Sequence, residues 1–170
     1  AFNTSQATAD GTGYTTGPNI WYCYTATCDG EATASLCGSG YDTKIAAYDG
    51  CGCDLTSLLA SNDDFCGLQS EVTFPVVAGQ TYLIEVGGYG TSSGEGVLNV
   101  SCADLSTGAC CDPATGTCTD DTDEATCLAM YGGTGVWNPG VTCAEDPCFV
   151  VSAGDNCSDP IKVDLPDELP

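Results

Sequence analysis

The side chains in this sequence that could do chemistry are carboxylates and thiols. Histidine is absent, and so is arginine, since the only two cations are Lys44 and Lys162. A Ser-His-Asp or Cys-His arrangement is therefore impossible. A carboxylate pair of the glycosidase kind is compatible with the composition. Most of the acids fall in turns, however, where Asp is favoured for backbone reasons, and no segment announces the cleft that perturbed carboxylates need. A non-catalytic protein is expected. Carboxylate and carbonyl oxygens are the ligands that hard Ca2+ prefers. Asp42, Asp49, Asn62, Asp63 and Asp64 lie at the ends of expected strands and could converge on one rim as a calcium site. The competing explanation for the same residues is Asx-turn chemistry. The acids at 120–124 are more simply read as a helix N-terminus, which welcomes negative charge.

The thiols number fourteen in 170 residues, a density close to that of disulfide scaffolds. An even count without histidine argues for disulfides over zinc. Disulfides need an oxidising compartment, so an extracellular or cell-surface protein is expected. Cys110, Cys111, Cys118, Cys127, Cys143 and Cys148 crowd the segment 105–150, and six cysteines leave 15 pairings open. Cys23 and Cys28 flank a turn and are expected to staple it. Cys37, Cys51, Cys53 and Cys66 would then pair among themselves, leaving Cys102 and Cys157.

These groups must be positioned by strands. Residues 19–26 (NIWYCYTA), 31–37, 41–48, 71–77 and 81–86 (TYLIEV) are rich in β-branched and aromatic residues or alternate with period two. Residues 58–64 carry a short apolar run into Asn62-Asp63-Asp64, and residues 97–102 close the set. Pro75 confines its strand to an edge or a bulge. Turn signals roughly every 8–12 residues describe an antiparallel β-sandwich of the jelly-roll kind. Far from these strands, Ile161, Val163 and Leu165 alternate with Lys162 and Asp164, between Pro160 and Pro166. That is one short half-buried strand. A lone strand must add to a sheet, and only four residues follow Pro166. Its expected partner is this chain's own body or another copy.

The ordered set Asn19-Ile20-Trp21-Tyr22, Cys37-Gly38-Ser39-Gly40-Tyr41-Asp42-Thr43, Tyr48-Asp49-Gly50, Asn62-Asp63-Asp64, Val77-Ala78-Gly79-Gln80-Thr81-Tyr82 and Val86-Gly87-Gly88 resembles the bacterial pre-peptidase C-terminal domain family over residues 1–104. The resemblance implies a compact β-sandwich serving as a non-catalytic module of a secreted protein, in a family some of whose members bind Ca2+. It also implies an opening strand that begins with Asp-Asn-Cys. That opening is missing before Ala1 and stands instead at 155–165, so the chain is expected to be cut about one strand into a domain. If the tail completes a sandwich, Cys157 and Cys102 are expected to meet.

Residues 105–150 make a second unit, with too few large apolar side chains to hold a core without staples. Asp121 and Glu124 read as a capping box before a short helix over 125–130, ended by Gly132-Gly133, with Val136-Trp137 as a small plug. The pattern is similar to cysteine-rich repeats found beside such sandwiches in planctomycete-type extracellular proteins. Residues 151–170 form a linker and the strand to be donated.

The formal charge of −22 makes nucleic acid an unsuitable partner, because phosphate binding rests on Lys and Arg. No apolar run approaches the ~20 residues of a membrane helix. Lys44 and Lys162 fall on strands and are expected to face solvent, with a side-chain isopeptide bond as an alternative. Asn3, Asn99 and Asn156 begin N-x-S/T acceptor patterns, and the Ser and Thr residues near the start could carry O-linked sugar. Two functions follow. The chain is a subunit, or one period of a tandem-repeat chain, in an extracellular filament whose copies donate the tail strand head to tail. Alternatively, it is an accessory binding module of a secreted hydrolase whose tail completes its own sandwich. Self-completion needs residues 149–154 to span back, and six extended residues reach only ~20 Å.

Overall fold

The structure, a computed structural model, describes residues 1–9, 13–53, 55–145 and 148. It divides into two compact units, Ala1–Ser106 and a second beginning at Thr107. The first contains β1 (Phe2–Asn3), β2 (Asn19–Thr25), β3 (Gly30–Ser35), β4 (Thr43–Asp49), β5 (Leu58–Asn62), β6 (Glu71–Val76), β7 (Thr81–Gly88), β8 (Glu95–Gly96) and β9 (Asn99–Asp104). A four-stranded sheet in the order β2-β7-β4-β5 faces a three-stranded sheet in the order β6-β3-β9, and a short β1–β8 ladder sits apart. Every ladder is antiparallel. The expected disulfide-rich, all-β antiparallel sandwich is what the chain forms.

Period-two patterning explains the layers. On β6, Val72, Phe74 and Val76 point inward while Thr73 and Pro75 are exposed. Pro75 lies on an edge strand, where its missing N–H costs no ladder bond. Ala32, Ala34, Ile45, Ala47, Ile84 and Val86 fill the space between the sheets. The outward residues of β4 and β7 make a second cluster, Ala46, Tyr48 and Leu83, covered by Tyr14, Trp21 and Leu55. Residues 19–26 and 81–86 thus form strands as expected, but β7 is buried on both faces.

The cover over that outer face is held by one charge. Glu85 is fully buried. Its Oε1 accepts from the Thr15 N–H (3.0 Å), the Thr15 hydroxyl (2.6 Å) and the Asn19 Nδ2 (2.9 Å). Its Oε2 accepts from the Tyr14 N–H (2.7 Å) and the Tyr48 hydroxyl (2.9 Å). A buried carboxylate is tolerable only when its lone pairs are filled in this way. Gly13 makes the approach possible, since a Cβ there would lie 2.3 Å from Glu85 Oε2. The loop also carries Tyr14 beneath Lys44, whose Nζ sits 4.2 Å from the ring centroid. Lys44, expected to face solvent, is partly exposed and lies over this ring as a cation–π partner.

Three disulfides bind this unit: Cys23–Cys51, Cys28–Cys102 and Cys37–Cys66. The expected Cys23–Cys28 staple does not form. Cys23 is on the outer face of β2, opposite the side of Tyr22 and Tyr24, and meets Cys51 in the loop after β4. Cys28, in the turn after β2, reaches β9 instead, so Cys102 is not the partner of Cys157. Of the quartet Cys37, Cys51, Cys53 and Cys66, only Cys37 and Cys66 pair with each other. Cys28–Cys102 closes the longest loop, with a sequence separation of 74. Chain entropy makes such a link worth roughly 4 kcal/mol.

The second unit is a three-stranded sheet with β10 (Gly108–Cys111) between β11 (Cys118–Thr122) and β12 (Val136–Pro139), followed by a 3-10 turn at Cys143–Glu145. Its buried apolar residues are Ala109, Cys110, Cys111 and Cys127. Cys110–Cys127, Cys111–Cys148 and Cys118–Cys143 therefore stand where larger side chains would form a core. The helix α1 (Glu124–Met130) starts two residues away from the expected capping box. Asp123, not Asp121, is the N-cap, accepting from the Thr126 N–H at 2.9 Å. Asp121 has φ +53° and bends the chain before the cap. The Thr126 backbone N–H and hydroxyl hold the Asp123 carboxyl below the usual aspartate range. The Val136-Trp137 plug is part of β12, and the Trp137 Nε1 donates to the Thr122 carbonyl at 2.6 Å.

The Glu85 cluster generates a prediction. Glu85→Gln places an amide N–H against backbone donors and removes the charge. A loss of about 2–4 kcal/mol is expected in thermal denaturation of the unreduced protein, against less than about 0.5 kcal/mol for the exposed Glu31→Gln. Equal, small effects for both would show that the carboxylate does not hold the loop.

Candidate functional site

Two features of the sandwich are candidates, an acidic hollow at one end and an open strand position along one side. The hollow is set by the start of β4 and the loop after β5. Asp42 immediately precedes β4, and Asp63 and Asp64 follow β5, its antiparallel neighbour, so the register Ile45↔Asn62 brings the three acids to one end of the sheet. Cys37–Cys66 ties the two loops together. The Gln69 Nε2 donates to the Tyr41 carbonyl at 3.2 Å, and the Ser70 hydroxyl donates to the carbonyls of Thr43 and Asp63. Carboxylate oxygens of Asp42, Asp63 and Asp64 lie within 4.8 Å of one another. They line a hollow of about 260 Å³ together with Tyr89.

The electrostatics of this trio are unfavourable as it stands. Burial, and then the charges of Asp63 and Asp64, raise the Asp42 carboxyl above the usual aspartate range. Asp42 Oδ1 and Asp63 Oδ1 are buried without a hydrogen-bond partner. Orphaned buried carboxylate oxygens facing one another fit a hard divalent cation, which would neutralise the repulsion and fill their lone pairs. The trio is therefore the part of the expected calcium set that the fold assembles. Asp49 lies at the opposite end of β4 and is exposed, about 20 Å along the strand. Asn62 turns its Oδ1 to the Glu71 N–H at 3.3 Å. A second close group, Cys111, Cys118 and Cys148, offers no thiolate. All three sulfurs are in disulfides, and the thiolate is the ligand form.

The open strand position follows from the unequal sheets. At one side the sheets meet, where the Asn62 Oδ1 of β5 accepts from the first N–H of β6. At the other side β9 is the last strand of the smaller sheet, and β2 is the last of the larger. Among the described residues β9 pairs only with β3, and β2 only with β7. The consequence is visible in the core. Ile20, Tyr22 and Tyr24 of β2, with Leu98, Val100 and Cys102 at β9, are only partly covered, while the inward residues of β3, β4, β6 and β7 are buried. Where it is covered, Tyr22 is desolvated enough to raise its phenol above the usual range. Phe2, Gly38, Gly40 and Val97 line a groove elsewhere on this unit.

Asn3 and Asn99 are exposed, and the Asn3 Oδ1 closes a turn by accepting from the Ser5 N–H at 2.8 Å. Asn156, Cys157, Lys162 and the expected donor residues Ile161, Val163 and Leu165 lie outside the described residues. Cys53 is the one unpaired cysteine among the described residues and is exposed. No family model, curated protein or solved structure matches the chain.

The acidic hollow generates a prediction with a sign. A carboxyl whose folded pKa is raised adds stability below its unfolded value, about 3.9, and loses it as pH rises through the folded value. Without metal, the Asp42 contribution should therefore decline as pH rises out of the aspartate range. Millimolar calcium at pH 7 should raise the melting temperature by ligand linkage, and Asp63→Asn should abolish that response. A melting temperature indifferent to calcium and chelator at low salt would leave only turn chemistry.

Proposed function

We propose that this chain is a structural subunit, or one repeat of a tandem-repeat chain, of an extracellular, disulfide-stabilised filament. In this reading the alternating strand within 155–165 of one copy adds to the open edge of the sandwich of the next. The observation that carries it is the partly covered row Ile20, Tyr22 and Tyr24, facing the unpaired side of β9. A strand laid there gains backbone partners from one sheet and apolar cover from the other. That is the physics of β-augmentation, in which main-chain bonds give affinity and alternate side chains give register. Ile161, Val163 and Leu165 have the matching period. A strand given head to tail produces an open polymer when the rotation between copies does not close. The motif resemblance to the pre-peptidase C-terminal family, whose sandwiches begin with such a strand, agrees with this reading.

Three further features support the setting. Six disulfides fit a protein folded in an oxidising compartment. No helix among the described residues is long and apolar enough to cross a membrane. Calcium in the hollow of Asp42, Asp63 and Asp64 would offset part of a formal charge of −22, which otherwise sets copies against one another.

Deletion of residues 155–170 tests the proposal. The truncated protein should remain folded, with both units intact by circular dichroism, and should give soluble monomers by electron microscopy and sedimentation. Fusing residues 155–170 to the end of a second truncated copy should restore assembly. Filaments that form without these residues would refute strand donation.

A further inference from the structure

We infer that the open edge of β9 and the edge occupied by β1 are one continuous edge, and that it takes a donated strand antiparallel to β9, ending against β1. The inference rests on the strand-donation reading above and gives the added strand a direction and a face.

The edge is defined by backbone parity. In an antiparallel sheet the N–H and C=O of one residue point to the same edge, and those of the next residue point to the other. The Gly40 N–H donates to the Glu95 carbonyl at 3.1 Å, and the Val97 N–H to the Ser39 hydroxyl at 3.1 Å. Further along, the Leu105 N–H donates to the Asp29 carbonyl at 2.8 Å. Asp29 and the 39–40 turn flank β3 at its two ends, so the odd-numbered residues face β3. The parity is the same before and after β9, so alternation runs through it without a net slip. On the opposite edge, the Thr4 N–H donates to the Gly94 carbonyl at 2.9 Å, and Phe2 stands opposite Gly96. The even-numbered residues therefore face the β1 edge. Leu98, Val100 and Cys102 turn their backbone groups to that same edge, where no strand lies beside β9 among the described residues.

The side chains agree with the backbone. Phe2, Leu98, Val100 and Cys102 all pack against the main core and are all only partly buried. Phe2 covers the first step of the edge, since a Cβ on Gly96 would lie 2.3 Å from its ring. The next three steps, beside Leu98, Val100 and Cys102, call for three apolar residues at alternate positions. Ile161, Val163 and Leu165 supply that set.

The two prolines of the same segment decide its direction. In an antiparallel ladder, facing residues exchange both bonds. Ile161, Val163 and Leu165, set opposite Cys102, Val100 and Leu98, would each donate an N–H to β9. Pro160 and Pro166 would fall at the alternate positions, whose backbone points to the outer edge. A missing N–H costs no ladder bond there and discourages a further strand. In a parallel ladder, a residue bonds instead to the residues on either side of the one opposite it. The donors would then be the outward residues Lys162, Asp164 and Pro166, and Pro166 has no N–H to give. The antiparallel choice also matches every ladder in the sandwich. The register of β1 carries Ala1 toward Val97, and Pro166 ends the added strand at the same point.

The test uses assembled full-length chains. Hydrogen exchange is read residue by residue, by electron-transfer fragmentation of peptides covering 158–166. Exchange at Ile161, Val163 and Leu165 should be at least about tenfold slower than at Lys162 and Asp164. The reverse pattern would overturn the antiparallel direction and leave strand donation standing. Free exchange at all five would overturn donation as well. Two proline substitutions give a second readout. Asp164→Pro removes an outward N–H, and these chains should assemble as the unsubstituted protein does. Val163→Pro removes a ladder donor and should abolish assembly. Assembly lost with Asp164→Pro, or kept with Val163→Pro, would overturn the inference.

Discussion

A sheet of three strands cannot cover a sheet of four. The sandwich meets that constraint by closing one side, where β5 and β6 are joined through Asn62 and Glu71, and leaving the shortfall at the other. Among the described residues, that side is only partly covered. It is the side where β2 presents three large inward residues, Ile20, Tyr22 and Tyr24, and where β9 has no second neighbour among the described residues. Natural sheets usually blunt an exposed edge with charge, proline or a bulge. Here Pro75 does so on β6 at the closed side, and β9 carries no proline and no charge before Asp104. The closed side thus carries a proline that discourages strand addition, and β9 carries no such residue before Asp104.

Much of the fold was legible in the sequence because its signals were local. Alternation in 71–77, turn glycines and the β-rich TYLIEV run fixed most strands to within a few residues. The departures came from forces that local reading cannot see. Cys23 and Cys28 flank a turn, but the pleat sends Cys23 to the outer face, so proximity along the chain did not predict pairing. Asp121 and Asp123 both suit an N-cap, but Asp121 lies inside β11, with positive φ at the irregularity where its register against β10 shifts. Glu85 was the one acid inside the most apolar run, which is a signal in itself. A charge there must be exposed at an edge or fully satisfied, and only tertiary structure brings Tyr14, Thr15, Asn19 and Tyr48 to it.

The acidic hollow was half legible for the same reason. Sequence placed five oxygen-bearing residues at strand ends without saying which end. An antiparallel pair puts the start of one strand beside the finish of the next, so Asp42 meets Asp63 and Asp64. Asp49, at the finish of β4, is carried away from them. The selection matters energetically. Three carboxylates converge with two oxygens buried and unpartnered, and burial and the neighbouring charges raise the Asp42 carboxyl above the usual aspartate range. Cys37–Cys66 holds the two loops in that arrangement despite the repulsion.

Magnitudes set how firmly a donated strand could hold by itself. Burying Ile161, Val163 and Leu165 yields about 1.5–3 kcal/mol each before other terms. Association costs an estimated 4–15 kcal/mol in lost translational and rotational freedom, and copies of charge −22 repel one another. Added ladder bonds contribute only about 0.5–1.5 kcal/mol each, because water already satisfied those groups. The apolar gain and the association cost would therefore be comparable, and a noncovalent joint of this kind would be reversible at low concentration.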